Sequence, residues 1–320
     1  MVALASLIGC KGKGDASDAL YTIPTDSILL SDPCVLADSA TGLYYMTGTQ
    51  GMLFTSKDLK MWSKPEKVAN TSTIPWAGSR PEIWAAELHK YGDKYYYFAT
   101  FTNPDTITGQ YEGRNLPRRS SHILRSDSPS GPYSAFGDAA TLPDSTLTLD
   151  GTLWVEPDGT PYMVYCGEWL QNGIGTMECI PLKQDLSGAA GKATVLFTAH
   201  DSPWSREEPT PGQITPNRVT DGPYLFRTDT GRLGMLWTSW VFNSYTQGVA
   251  YSKSGTIFGP WEQQPEPITP PNYGHGMLFK TLDGQWLLSC HSHANVDGRY
   301  VRIPHFFKAD LSGDNLKITF

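Results

Sequence analysis

Three aspartates stand in similar local settings: Asp32 in LSDPCVL, Asp150 in LTLDGTLWV and Asp221 in VTDGPYLF. Each is followed at once by Pro or Gly, and then by an apolar or β-branched run of the kind that forms strands. One such residue is an ordinary turn former, and a proline at the start of a strand removes no ladder bond. Three in the same role, at widely separated places, are harder to assign to turns alone. Carboxylates gathered at one site do acid–base chemistry. An ionised one takes a proton, a protonated one gives it, and a further carboxylate nearby makes ionisation of the acid harder.

For that chemistry the chain must bring distant segments together, and its repeats provide the means. TGLYYMTGT is followed by GDKYYYFATFT, DGTPYMVYCGEW, TGRLGMLWTSW and DGQWLLSCHSH, each a turn, an aromatic or β-branched run, and then small polar residues. Their turn glycines, Gly42, Gly92, Gly159, Gly231 and Gly284, are separated by roughly 50 to 70 residues. Further strands follow, two of them ending in Ser-x-x-x-x-Gly-Pro-aromatic, as in LRSDSPSGPY and YSKSGTIFGPW. A β-sandwich of this length does not predict such an ending, and no helical periodicity persists for three turns. The pattern predicts an all-β fold, a five-bladed β-propeller with blades at 28–75, 78–143, 146–200, 216–268 and 272–320. The extended Tyr21–Leu30 is expected to close the ring against the last blade, and the Pro-rich 202–217 to be an inter-blade loop. The inner strands of a propeller converge on an axial channel, so the three aspartates would meet there.

At these positions the chain resembles glycoside hydrolase family 43, propeller enzymes acting on arabinose- and xylose-containing glycans. The carriers are SDP at 31–33, IWAAELH at 83–89, LDGTL at 149–153, DGPYLF at 221–226 and YGHGMLF at 273–279. The resemblance implies Asp32 as general base, Asp150 as the residue that orients the acid and raises its pKa, and Asp221 as general acid. Two departures are Asp221 where the family usually has Glu, and Ala86 where it more often has Pro. Because Asp is one methylene shorter, Glu168 in CGEWL is kept as an alternative acid. Inverting glycoside hydrolysis needs its two carboxylates about 6.5–9.5 Å apart, and separate blades can supply that gap. The expected substrate is an oligo- or polysaccharide, cut exo-wise at α-L-arabinofuranosyl or β-D-xylosyl ends. The rival reading is a glycan-binding propeller without catalysis.

Strand ends on the same face place Phe101, Trp169, Trp240 and His291 near the pocket rim, with Trp84 and Glu87 from IWAAELH. Trp84 and Trp240 either stack on a sugar or wedge between blades. Arg299 either bonds ring hydroxyls or stays solvated. For His275, flanked by two glycines, the resemblance implies a Ca²⁺ ligand or a pocket support; the other reading is a structural histidine. Glu178-Cys179 is read as a decoy, on an outer strand.

A net charge of −7, with no Lys/Arg cluster, argues against a nucleic-acid partner. Cys34, Cys166, Cys179 and Cys290 lack metal-site spacing and are expected as buried thiols. MVALASLIGCKGKGD is apolar up to Cys10, and Leu7–Cys10 resembles a bacterial lipobox without the basic region before it. This predicts a signal remnant and tether at 1–20 ahead of a propeller at 21–320. The protein would then sit in the periplasm or at the cell surface, with a lipid on Cys10 as its membrane contact.

Overall fold

The run Tyr95-Tyr96-Tyr97-Phe98-Ala99 is buried at every position, which a strand with one wet face would not allow. Successive side chains of a strand point to opposite faces. Tyr95, Tyr97 and Ala99 enter one apolar cluster with Tyr45 and Leu53, while Tyr96 and Phe98 enter another with Met163 and Tyr165. The strand is thus sandwiched between two neighbouring sheets. The same holds in the next unit, where Met163 and Tyr165 face one side and Val164 and Cys166 the other.

The computed structural model describes residues 20–143, 145–207 and 217–320. Leu7–Cys10 and most of the Pro-rich 202–217 segment lie outside the described residues. The chain forms five antiparallel four-stranded blades, each inside one of the expected intervals. Blade 1 has Cys34–Asp38, Leu43–Thr47, Met52–Ser56 and Met61–Trp62; blade 2 has Glu82–Tyr91, Lys94–Tyr111, Arg114–Ser126 and Ser134–Ala135. Blade 3 has Thr148–Val155, Pro161–Gly167, Thr176–Pro181 and Thr194–Thr198. Blade 4 has Asp221–Arg227, Leu233–Val241, Ser244–Ser252 and Trp261–Gln263; blade 5 has Tyr273–Lys280, Trp286–Val296, Arg299–Asp310 and Lys317–Thr319. The five hairpin glycines all have φ between 60° and 92°, the left-handed geometry that tight turns require. The core is a ring of five apolar clusters, one at each seam between blades. The four described cysteines are free and buried in it.

The closing segment lies against the last blade as expected, although its own short strand pairs elsewhere. Ile23–Pro24 pairs with Met61–Trp62 at the outer edge of blade 1 and does not join blade 5. The segment then crosses the seam, where Ile28 and Leu30 pack with Trp62 and Phe279, and Leu30 N–H bonds Arg302 C=O at 3.0 Å. The seam therefore closes by packing and not by an exchanged strand.

One irregularity repeats round the axis. In blade 2, Trp84 faces Thr100 and Glu87 faces Phe98, so Ala85 and Ala86 stand opposite one residue. The same bulge puts an extra residue at Asp150-Gly151, Gly222-Pro223 and His275-Gly276. Its first residue is left-handed each time: φ is 43° at Ala85, 55° at Asp150, 51° at Gly222 and 51° at His275. In blade 1 the corresponding residue is Asp32, with φ 59°. Each of these five N–H groups donates to a side chain of the preceding blade. Ala85 donates to Thr49 Oγ1 at 2.9 Å, Asp150 to Thr100 Oγ1 at 2.8 Å, and His275 to Thr238 Oγ1 at 2.8 Å. Asp32 donates to His291 Nδ1 at 3.0 Å, and Gly222 to Asp150 Oδ2 at 3.1 Å. In blade 3 the slot that holds Thr100 or Thr238 elsewhere is filled by Cys166, opposite Leu149. A thiol is a weak acceptor, so the Asp150 carboxyl takes over the task.

This register corrects the expected equivalence of the three aspartates. Asp32 and Asp150 occupy the bulge position, and so does His275, whereas Asp221 precedes it by one residue. We expect Thr238→Val, which keeps the shape but strands the buried His275 N–H, to lower unfolding stability by about 1–3 kcal/mol. Urea denaturation checks this, and an unchanged midpoint would show that the inter-blade bond carries no stability.

Candidate active site

The inner strands converge on an axial cavity of about 440 Å³ lined by Asp32, Asp150, Asp221, His275 and His291. Ser31, Thr49, Trp84, Leu149, Trp169, Trp240, Tyr245 and Arg302 complete its wall. The bulges explain the convergence. A left-handed residue turns its side chain out of the sheet alternation, so Asp32, Asp150 and His275 point along the axis and not into a seam.

The carboxyls do not share one environment. Thr49 Oγ1 donates to Asp32 Oδ2 at 2.5 Å, and His275 Nδ1 lies 3.2 Å from Asp32 Oδ1. Burial alone would raise the Asp32 pKa, but His275, His291, the Thr49 hydroxyl and Arg302 outweigh it and hold the carboxyl below its ordinary value. Asp221 accepts from the Tyr245 phenol at 3.0 Å. Burial, with Asp32 and Glu168 adding repulsion, pushes Asp221 up to about 8 despite that bond. Burial, followed by Asp221 and Asp32, drives Asp150 far above the usual carboxylate range. The site thus holds one carboxyl poised as a base, Asp32, and two, Asp150 and Asp221, that favour keeping their protons at neutral pH.

The hydrogen bonds fix where the protons sit. Burial keeps the Tyr245 phenol protonated, and it donates to Asp221 Oδ2. The Asp221 proton is then on Oδ1, the oxygen free to meet a ligand. His275 Nδ1 has Asp32 Oδ1 at 3.2 Å and the Tyr245 oxygen at 3.4 Å, so Nδ1 carries the hydrogen. His291 Nδ1 accepts the Asp32 N–H, so its hydrogen is on Nε2, which lies 3.1 Å from His293 Nε2. Burial holds both rings neutral, His293 with a pKa near 4. Asp32 and Asp221 are linked through His275 and Tyr245, and both line the cavity.

Aromatic rings form the rest of the wall. Trp84 lies against the Arg119 guanidinium, 4.0 Å from the ring centre, and Arg119 is bonded to Glu168 and to Thr102 Oγ1. Tyr245 stacks on His291 and His293, with ring centroids 5.5 and 4.9 Å apart, and Trp240 leans on Tyr245.

Of the residues expected at the site, Asp32, Asp150, Asp221, Trp84, Trp169, Trp240, His275 and His291 line the cavity. Four do not. Glu168 is buried with Oε2 on Arg119, so as an alternative acid it is corrected on reach. Glu87 is buried against His89 Nε2 at 2.7 Å. Phe101 sits in the seam between blades 1 and 2, edge-on to Trp76. Arg299 lies exposed beside the hairpin tip. Arg302 lines the cavity in its place, opposite His293 in the ladder. The Asp297-Gly298 turn, left-handed at both residues, sets that register, and a two-residue hairpin read from the sequence would have placed Arg302 there. Tyr245 and Thr49 gave no such signal, since each reaches the site from a neighbouring strand or blade. Glu178 bonds Thr176 and Tyr165, away from the cavity.

The other nitrogen of His275, Nε2, is buried without a partner. It fits one ligand of a hydrated cation. Among the described residues no three His, Cys, Asp or Glu gather to hold a metal, so a calcium ion there would take most of its ligands from water.

The sequence profile of the family described as Glycosyl hydrolases family 43 matches residues 21–307. The solved endo-arabinase of Bacteroides thetaiotaomicron has a TM-score of 0.78 and 32% identity, covering 89% of this chain and 96% of that one. The extracellular endo-α-(1→5)-L-arabinanase of Thermotoga petrophila is 26% identical over 179 residues, which are 48% of this chain and 36% of that protein. The β-D-galactofuranosidase of Aspergillus niger is 24% identical over 251 residues, 72% of this chain and 62% of that protein. The chain therefore spans less than two thirds of the length of these curated relatives.

Carboxyl-resolved NMR should show one aspartate, Asp221, titrating near pH 8. Tyr245→Phe removes the bond that favours its ionised form, so the midpoint should move higher still; a fall would mean the phenol does not donate to Asp221.

Proposed function

The chain belongs to glycosyl hydrolases family 43, and from that premise we propose that it is an inverting glycosidase of α-L-arabinofuranosyl or β-D-xylosyl bonds in plant-type polysaccharides. The observation that carries this reading is the pairing of Asp32 and Asp221 across one cavity, from blades 1 and 4, in surroundings that lower the pKa of the first and raise that of the second. The arabinan-directed names of two relatives favour the arabinofuranosyl bond.

In this reading a water between Asp32 and the anomeric carbon gives its proton to Asp32, and its oxygen attacks that carbon. The glycosidic oxygen leaves from the opposite face with the proton of Asp221 Oδ1. Thr49 and His275 hold Asp32 by its two oxygens. Asp150 accepts the Gly222 N–H, which fixes the main chain next to Asp221, and its own burial keeps it from competing as a base. Trp84, Trp169 and Trp240 offer ring faces to the C–H surface of a sugar. The shorter arm of Asp221 is met by its backbone position, since the next residue, Gly222, lies close against the His275 ring. A Cβ on Gly222 would come within 2.7 Å of that ring. A calcium ion on His275 Nε2 would supply positive charge below the carboxylates; we propose it on that unpartnered nitrogen alone. The lipobox-like Leu7–Cys10 supports a tethered protein at the periplasm or cell surface.

Asp32→Asn should fold normally and lose about 10²–10⁴-fold in rate. Asp221→Ala should cripple substrates whose leaving group needs a proton while sparing much of the rate on an activated aryl glycoside. NMR of the first-formed sugar should show inversion. Wild-type activity should fall as pH rises through about 8, where Asp221 ionises, and should survive acid until Asp32 protonates, below the ordinary value of 3.8. Retention, or full activity of Asp32→Asn, would overturn the assignment. EDTA should lower the melting temperature and added Ca²⁺ restore it; no change would remove the ion from the account.

A further inference from the structure

A second cavity, about 610 Å³, runs along the seam between blades 1 and 2 and shares Thr49 and Trp84 with the axial one. The two adjoin at these residues. Its floor is fixed before any ligand arrives, because Gln50 N–H bonds Ile83 C=O at 2.8 Å and Ala85 N–H bonds Thr49 Oγ1 at 2.9 Å across the seam. Its walls combine hydrogen-bonding groups, Gln50, Thr71, Ser79 and Arg80, with the apolar surfaces of Ile83 and Trp84. That mixture suits a sugar, which presents hydroxyls at its edge and C–H groups on its face.

The direction of this groove decides what it holds. In a ring of five blades, the seam between the first and second lies diametrically opposite the fourth. Blade 4 carries Asp221 and Tyr245, whereas Thr49, at the mouth of the groove, is bonded to Asp32. The leaving oxygen must sit at the acid, so the leaving part of the substrate exits on the blade 4 side. We propose that the blade 1–blade 2 groove binds the sugar residues linked to the other side of the reacting unit, so that the bond cut is internal to the glycan and not at its end. This rests on the glycosidase reading and revises the expectation of exo action.

The test uses linear α-1,5-arabino-oligosaccharides and β-1,4-xylo-oligosaccharides of two to six units, labelled at the reducing end, beside the aryl glycosides of arabinofuranose and xylose. In the wild type kcat/KM should rise with chain length, and the six-unit substrate should be cut at inner bonds. Ser79→Trp, at an exposed position of the groove wall, should lower the ratio of six-unit to aryl-glycoside kcat/KM by about tenfold or more, as losing one subsite would. It should also shift the first products towards single sugars. Wild-type turnover that releases only single sugars, with a ratio insensitive to Ser79→Trp, overturns the groove and leaves the glycosidase reading standing. No turnover on any substrate overturns both.

Discussion

Five backbone N–H groups, one from the bulge at the start of each inner strand, each donate to a side chain of the blade before it. The rest of the molecule depends on this ring of bonds. Left-handed backbone at a non-glycine residue costs on the order of 1–3 kcal/mol and persists only where surrounding contacts hold it. Ala85, Asp150, His275 and Asp32 all pay that strain, and the neighbouring threonine or histidine is what holds them. The same bonds align each blade with the next at the radius where the cavity opens, while the apolar seams hold the blades further out.

The bulge also explains why chemistry collects at this level of the propeller. A side chain on a regular inner strand enters a seam, as Leu88 and Leu225 do. A bulge residue is turned out of that alternation and faces the axis. Three of the five such positions carry Asp32, Asp150 and His275, and the fourth, Gly222, leaves room for the His275 ring. Asp150 serves twice, as a member of the carboxyl cluster and as the acceptor that Cys166 cannot be. Exchanging Cys166 for a threonine would in principle release Asp150 from its backbone task.

Electrostatics then separates carboxyls that the sequence presents as alike. Asp150 is buried and Asp32 and Asp221 are half-buried, and removal from water by itself disfavours charge. Asp32 is offset by a hydroxyl, an imidazole N–H and the Arg302 guanidinium, so it carries the negative charge. Once it does, repulsion adds to burial at Asp150, and at Asp221 a single phenol is too little to reverse the shift. The assignment of base and acid follows from which partners surround each residue, and those partners come from blades 1, 4 and 5.

The sequence by itself determined the number of blades, their limits and the three aspartates, because hairpin turns and strand runs are local signals that repeat along the chain. The Asp297-Gly298 turn would have given Arg302 in the same way. It did not determine that Asp221 stands one residue before the bulge, since register depends on the partner strand. Nor did it exclude Glu168, Glu87 and Phe101, each in or beside a strand at a position compatible with the rim, until Arg119 of the preceding blade, His89 of the same strand and Trp76 of the connection between blades claimed them. Thr49, Tyr245 and the pairing of Ile23–Pro24 with Met61–Trp62 were decided only by tertiary structure. Their roles arise where different strands or blades approach, and no spacing within one strand records which neighbour will be across the gap.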